Sequence, residues 1–250
     1  MALFQGLVDP ILSPLLNLNS FLAVAIMSLA VTLIITLIYK FTTNQKLMKD
    51  LKTEMKEFQK EMKELRAHPE EAMKVQKKAM QTNMKYMSHS MKSTLFTLLP
   101  VIILFGWMNA NFAFTAINPG MEFTTAIELY EGQHGSVALA PTEGIEIMGE
   151  TKKDIADGEL MWALKGKEGE YLLEYDVNGI KYYKDLLITS GKKYAQPVKQ
   201  VNDQLVKSIS INNKKLIVLD LLGWKIGWLG TYIILSIIFS SVIRKLLKVY

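Results

Sequence analysis

Apolar residues in this chain are gathered into blocks rather than spread at core spacing. Pro10 to Tyr39, Ser93 to Met121 and Ile226 to Ile243 carry no charged side chain, and a helix needs about 20 mostly apolar residues to cross the hydrocarbon layer. The pattern predicts three transmembrane helices, over residues 16–40, 93–117 and 221–245. Past the first block the rhythm changes. Met48, Leu51, Met55, Phe58, Met62 and Leu65 alternate steps of three and four, the a/d seam of a coiled coil. His68-Pro69 then stops the helix, because proline disfavours helical geometry at the residue before it. A second arm takes up the rhythm through Met73, Lys77, Met80, Met84, Met87 and Met91. Residues 41–92 therefore predict an antiparallel coiled-coil hairpin reaching about 35 Å at 1.5 Å per residue.

Residues 118–220 follow another grammar. Glu159 to Leu164, Tyr171 to Val177 and Ile180 to Ile188 are short, rich in aromatic and branched residues, and bounded by glycines. Asn178-Gly179 predicts a type I′ hairpin turn between the last two. Val137 to Leu139, Gly144 to Met148 and Ser208 to Leu219 supply further strands, and this spacing suggests a small β-sandwich. The predicted fold class is an α-helical membrane protein: three transmembrane helices, a cytoplasmic coiled-coil hairpin and an extracellular all-β domain. Residues 1–15, interrupted by Asp9-Pro10 and Pro14, read as an outer interfacial segment, and 246–250 as a cytoplasmic tail.

Charge sets the orientation. Lys40 to Lys92 holds 13 basic and 7 acidic residues, and Arg244, Lys245 and Lys248 follow the last block, whereas the start of the first offers only Asp9. Basic flanks face the cytoplasm, which puts the N-terminus outside a cell membrane and the C-terminus inside. The first block lacks the basic leader and short apolar core of a cleaved signal. With no cysteine, disulfides and thiolate chemistry are excluded. His68, His89 and His134 fall on a hairpin turn, a cytoplasmic helix and an outer loop, so they assemble no triad or metal site, and no catalytic residue or cofactor is assigned. No acidic residue lies inside a span to relay protons. DNA is not an expected partner; the basic hairpin attracts anionic lipid or ribosomal RNA by charge alone.

Two patterns carry candidate chemistry. Ser28, Thr32 and Thr36 recur every fourth residue and stack on one helix face, either as a packing surface for a neighbouring helix or as the wall of a wet groove. Lys225, Tyr232, Ser236, Ser240 and Arg244 fall on nearly one face of the third block, with Lys225 reaching outer headgroups or turning inward. The methionines divide. Met55, Met62 and Met73 suit the seam of the hairpin. The dense cluster Met80, Met84, Met87 and Met91 sits where leucine would pack a fixed seam better, and flexible thioethers suit a surface that accepts many apolar partners. Pro100 removes a donor from the second span, that of the Phe96 carbonyl, so a kink or rearrangement is expected there.

This layout resembles the archaeal branch of the YidC-like (oxidase-assembly) membrane-protein insertase superfamily, to which the third subunit of the endoplasmic-reticulum membrane complex is related. The resemblance rests on Met80 to Pro100, the heptads from Met48 to Leu65 and the three-span topology, and covers roughly residues 15–117 and 222–248. It implies an insertase or chaperone that hydrolyses no nucleotide. Met80, Met84, Met87 and Met91 would hold apolar segments of nascent clients. A polar groove, with Ser28, Thr32, Thr36, Thr94, Thr97, Lys225, Tyr232, Ser236 and Ser240 as candidate walls, would pass them into the bilayer. A ribosome or targeting factor on the basic hairpin and a small helical membrane partner are the further partners implied. The chain departs from the family pattern in its large outer domain and in lacking a basic residue inside the first span, where Lys40 lies at the cytoplasmic end. A second reading is a membrane-anchored scaffold or receptor whose outer β domain binds an extracellular partner.

Overall fold

The computed structural model describes residues 8–156, 158–201 and 203–249; residues 1–7 of the expected interfacial segment lie outside them. The chain divides into two compact units, Met1–Trp107 with Leu229–Tyr250, which is helical, and Met108–Trp228, which is built of strands.

In the helical unit a 3-10 turn at Ser13–Asn17, with Pro14 in its first positions, precedes α1 (Ser20–Thr42). The Asn19 side chain accepts from the Phe21 amide at 2.8 Å and fixes where α1 starts. Asn44 caps α2 (Gln45–Glu64) in the same manner, accepting from Leu47 at 3.1 Å. A short turn at Leu65–Ala67 ends at His68, and α3 opens on Pro69, whose missing amide hydrogen costs nothing at a first helical position. Helix α3 then runs unbroken from Pro69 to Phe112, about 66 Å at 1.5 Å per residue. The second arm and the second span are thus one element, and the helix continues through Pro100. The last helix, α4, is Trp228–Leu247. It starts later than the expected 221 because residues 219–226 fold into strands.

Helices α1, α3 and α4 are each long and apolar enough to cross a membrane. Their outward residues, among them Leu22, Ile26, Leu33, Leu95, Leu99, Ile102, Ile233, Ile237 and Val242, are exposed. So broad an apolar surface fits lipid rather than water as the solvent. At one end of the unit Tyr39, Met48 and Val249 form a buried cluster with Tyr86 and Leu247 against it, so all four helices contribute to it. Met48 and Tyr86 lie about equally far from the turn at 65–68 on its two sides. Near the N-terminus, Trp107 Nε1 donates to Asp9 at 2.7 Å.

The β unit is a sandwich of two antiparallel sheets. One has the order β3-β5-β1-β9-β8 (Ile145–Met148, Glu159–Gly166, Glu122–Leu129, Val206–Ile211, Val198–Gln200). The other has the order β4-β2-β6-β7 (Lys152–Asp154, Ser136–Leu139, Gly169–Val177, Ile180–Ile188). Both sheets contribute to one core, with Ile127, Trp162, Leu164 and Ile209 from the first and Val137, Leu173, Tyr175 and Ile188 from the second. Asn178 and Gly179 have φ of 51° and 89°, as a type I′ turn requires. Strand β1 lies at the centre of the larger sheet and had no place in the sequence reading. The expected single strand from Ser208 to Leu219 is interrupted after Ile211, where the Asn213 side chain turns to the Thr115 carbonyl at 3.1 Å. Beyond it, β10 (Leu219–Leu221) and β11 (Trp224–Ile226) make a separate hairpin. Lys184 is a charged exception in the interior, 2% exposed. Its ammonium donates to the carbonyls of Asp185 and Gln196 at 2.8 and 2.7 Å, and burial pushes its pKa down.

Candidate functional site

On α3 the methionine stripe and the packed face are back to back. Val75, Thr82 and Ser93 are buried, with Ala72, Ala79, Tyr86 and Ser90 half-buried. Met80, Met84, Met87 and Met91 are exposed at 60, 62, 60 and 65%. At 3.6 residues per turn Met84 sits roughly 200° round the helix from Thr82. Along this stretch small residues, together with Tyr86, therefore take the inward positions and the thioethers face out. Met73, expected in the seam, is also turned out, at 69% exposure. On α2 and at the start of the turn after it the expected positions do turn inward: Met48 and Leu51 are buried, and Met55, Phe58, Met62 and Leu65 half-buried. Of the second arm only Met73 was placed on the wrong side: both faces of α3 step by three and four, so spacing alone did not separate it from the inner positions. The buried Ser93 hydroxyl has no hydrogen-bond partner.

The hydroxyl row of α1 is buried and satisfied within its own helix. Ser28 donates to the Val24 carbonyl at 2.7 Å, Thr32 to Ser28 at 2.6 Å and Thr36 to Thr32 at 2.7 Å. Bonds of this kind let hydroxyls sit in an apolar surrounding without an orphaned donor, while a lone pair stays free on each oxygen. Thr32 and Thr36, with Ile35, line a cavity of about 370 Å³ whose other wall is Tyr232, Ser236, Ile237, Ser240, Ser241 and Arg244 of α4. Five of the expected groove residues meet there: Thr32, Thr36, Tyr232, Ser236 and Ser240.

The others do not. Ser28 is buried away from the cavity lining, Thr94 is exposed and bonds to the Ser90 carbonyl, and Thr97 bonds to that of Thr94. Lys225 lies on β11, in the β unit, rather than on the last helix. The cation that does line the cavity is Arg244, which the sequence placed on the same face as Tyr232, Ser236 and Ser240 without counting it among the candidate walls. Its guanidinium lies 5.2 Å from the centroid of the Tyr39 ring, a cation–π contact. The signal was present in the spacing, since Ser236, Ser240 and Arg244 recur every fourth residue on one face. Tyr232 is held by an edge-to-face contact with Phe105 of α3, centroids 4.8 Å apart.

The β unit has larger hollows. One of about 640 Å³ is lined by Glu146, Lys165, Lys167 and Glu168 with Pro119, Ile145 and three glycines. Among the described residues no three of His, Cys, Asp and Glu converge as a metal site.

No curated protein and no solved structure matches the chain. The family model described as "Integral membrane protein EMC3/TMCO1-like" matches residues 5–137. That match takes in α1, α2, all of α3 and the central strand β1, and leaves α4 and most of the sandwich outside it. The chain belongs to the EMC3/TMCO1-like family of integral membrane proteins, within the YidC/Oxa1/Alb3 insertase-related superfamily.

Proposed function

We propose that this protein inserts other proteins into a membrane without hydrolysing nucleotide. Met80, Met84, Met87 and Met91 hold the apolar segment of a nascent client. Thr32, Thr36, Tyr232, Ser236 and Ser240, with Arg244, then offer a polar path for the short hydrophilic stretch that must cross. An unsatisfied polar group in hydrocarbon costs several kcal/mol, and hydroxyl oxygens with a free lone pair lower that barrier. Arg244 supplies a charge for acidic residues of the crossing stretch. On this reading the N-terminus is outside a cell membrane, α2 and the first half of α3 form a cytoplasmic coiled-coil hairpin, and its basic surface receives a ribosome or targeting factor. A small helical membrane partner completes the groove, and the sandwich is extracellular.

The observation that supports it most is the outward stripe. Four flexible apolar side chains, on the helix that continues into a membrane span, are turned to the outside while Tyr86 and small residues do the packing. The test is insertion of a short-tailed membrane substrate into liposomes carrying the purified protein, with photocrosslinkers at 84, 87 and 91. Insertion faster than into empty liposomes, with crosslinks to the client, is expected. No acceleration, or crosslinks only to α2, would overturn the capture role.

The cleft of about 640 Å³ in the sandwich favours a second reading, a scaffold or receptor with an extracellular partner. Deleting residues 122–220 separates the two: insertion persists at least in part under the first, and function is lost entirely under the second.

A further inference from the structure

The hairpin of β10 and β11 has two unlike faces. Across its ladder Leu219 stands opposite Ile226 and Leu221 opposite Trp224, while Asp220 stands opposite Lys225. Side chains alternate along a strand, so the two apolar pairs share one face and the charged pair takes the other. That apolar face is half-buried at its base, at Leu219 and Ile226, and uncovered toward the tip. Leu221 is 51% exposed, Trp224 76%, and Leu222 at the tip 100%.

The tip also runs against local preference. Leu222 and Gly223 have φ of 53° and 92°, a turn whose first position suits Asn, Asp or Gly. A leucine there meets backbone strain and full exposure together. The Gly223 amide donates to Asp220 Oδ1 at 3.0 Å and helps hold the turn, but in water nothing offsets the exposure of the leucine. An apolar phase around the side chain does.

Chain continuity indicates which apolar phase lies at hand. Only Gly227 separates Ile226 of β11 from Trp228, the first residue of α4. Just before the hairpin, Leu216 N donates to the Ala113 carbonyl at 3.1 Å, and Thr115 N to that of Lys214 at 2.8 Å. These bonds tie the stem to the chain that leaves α3 at Phe112. At no more than about 3.6 Å per residue, Leu222 lies within about 20 Å of the start of α4.

We propose that the β10–β11 hairpin is a membrane-dipping wedge. Leu221, Leu222 and Trp224 enter the boundary between headgroups and acyl chains of the leaflet in which α3 ends and α4 begins, and Asp220 and Lys225 face the headgroups. Tryptophan favours that boundary, and a lysine stem can lie along apolar matter with its charge in the headgroups. The wedge is independent of the insertase reading and stands if that reading fails.

The chain has no cysteine, so a spin label can be placed at one chosen site. Full-length Leu222→Cys is labelled and reconstituted into vesicles of phosphatidylcholine and phosphatidylglycerol. Ile180→Cys, beside the Asn178-Gly179 turn and 54% exposed, serves as the comparison. Power saturation should show the label at 222 colliding several-fold more with oxygen than with a water-soluble nickel chelate, and the label at 180 the reverse. Equal behaviour at the two sites overturns the wedge. So does shielding of 222 from both agents, which would mean that a protein partner or a second copy covers it. Leu222→Asn suits the turn and keeps the hairpin folded; in that background a label at Leu221→Cys should lose most of its oxygen preference. An unchanged preference refutes the leading role of the tip.

Discussion

The methionines of α2 and those in the first half of α3, Met73 to Met91, are the same residue type, on helices that flank one turn, and they have opposite fates. Met48 is fully buried against Tyr39, Tyr86 and Val249, and Met55 and Met62 are half-buried. Met73, Met80, Met84, Met87 and Met91 are all exposed. On α2 large apolar residues are the inward choice, whereas from Ala72 to Ser93 of α3 the inward positions, Tyr86 apart, belong to alanine, valine, threonine and serine. A thioether fills irregular gaps when enclosed and adapts to varied partners when presented. Its role follows from what occupies the opposite face of its helix.

The sharpest way to break the comparison is to empty the enclosed site. Met48→Ala should cost about 2–5 kcal/mol, read as a lowered unfolding midpoint of the purified protein in lipid nanodiscs; an unchanged midpoint would show that Met48 is not a core residue. Overfilling the small-residue face comes next. Thr82→Leu should cost about 1–3 kcal/mol through strain in the same measurement, and a stabilising outcome would mean that this face has room to spare. Replacing Met84, Met87 and Met91 by serine should leave stability within about 0.5 kcal/mol per site while slowing client insertion into liposomes several-fold. Destabilisation comparable to Met48→Ala would erase the distinction between the two helices. The mildest test changes Met80, Met84, Met87 and Met91 to leucine. Stability and insertion of a preferred client should hold, and the range of clients inserted should narrow, since leucine keeps the apolar area and loses the adaptability.

Element type was legible in the sequence wherever a long pattern repeats. The charge-free blocks became α1, the far half of α3 and α4; the break at His68-Pro69 and the Asn178-Gly179 turn lie where residue chemistry put them. Which face of α3 packs was not legible, because Met80-Met84-Met87-Met91 and Ala79-Thr82-Tyr86-Ser93 both keep helical spacing. Size was the usable signal, since small residues let helices approach closely. Strand β1 was missed although Phe123, Thr125, Ile127 and Leu129 alternate as buried positions, its two threonines and two glutamates having masked the apolar rhythm. The sequence grouped Lys225 with Tyr232, Ser236 and Ser240 by extending helical spacing backwards through residues that form a hairpin. It left out Arg244 as a cavity residue because a basic residue after a span already had an explanation in topology.

The bond between Asp9 and Trp107 has a bearing on the order of events during synthesis. Its partners are 98 residues apart, and at roughly 5–20 residues per second a ribosome needs about 5–20 s to make the intervening chain. Throughout that interval the Asp9 carboxylate has no indole to accept from. The start of the chain therefore reaches its final seat only after the far end of α3 has emerged, later than the turn at Leu65–Ala67 and earlier than the contacts that Arg244 and Val249 make with Tyr39.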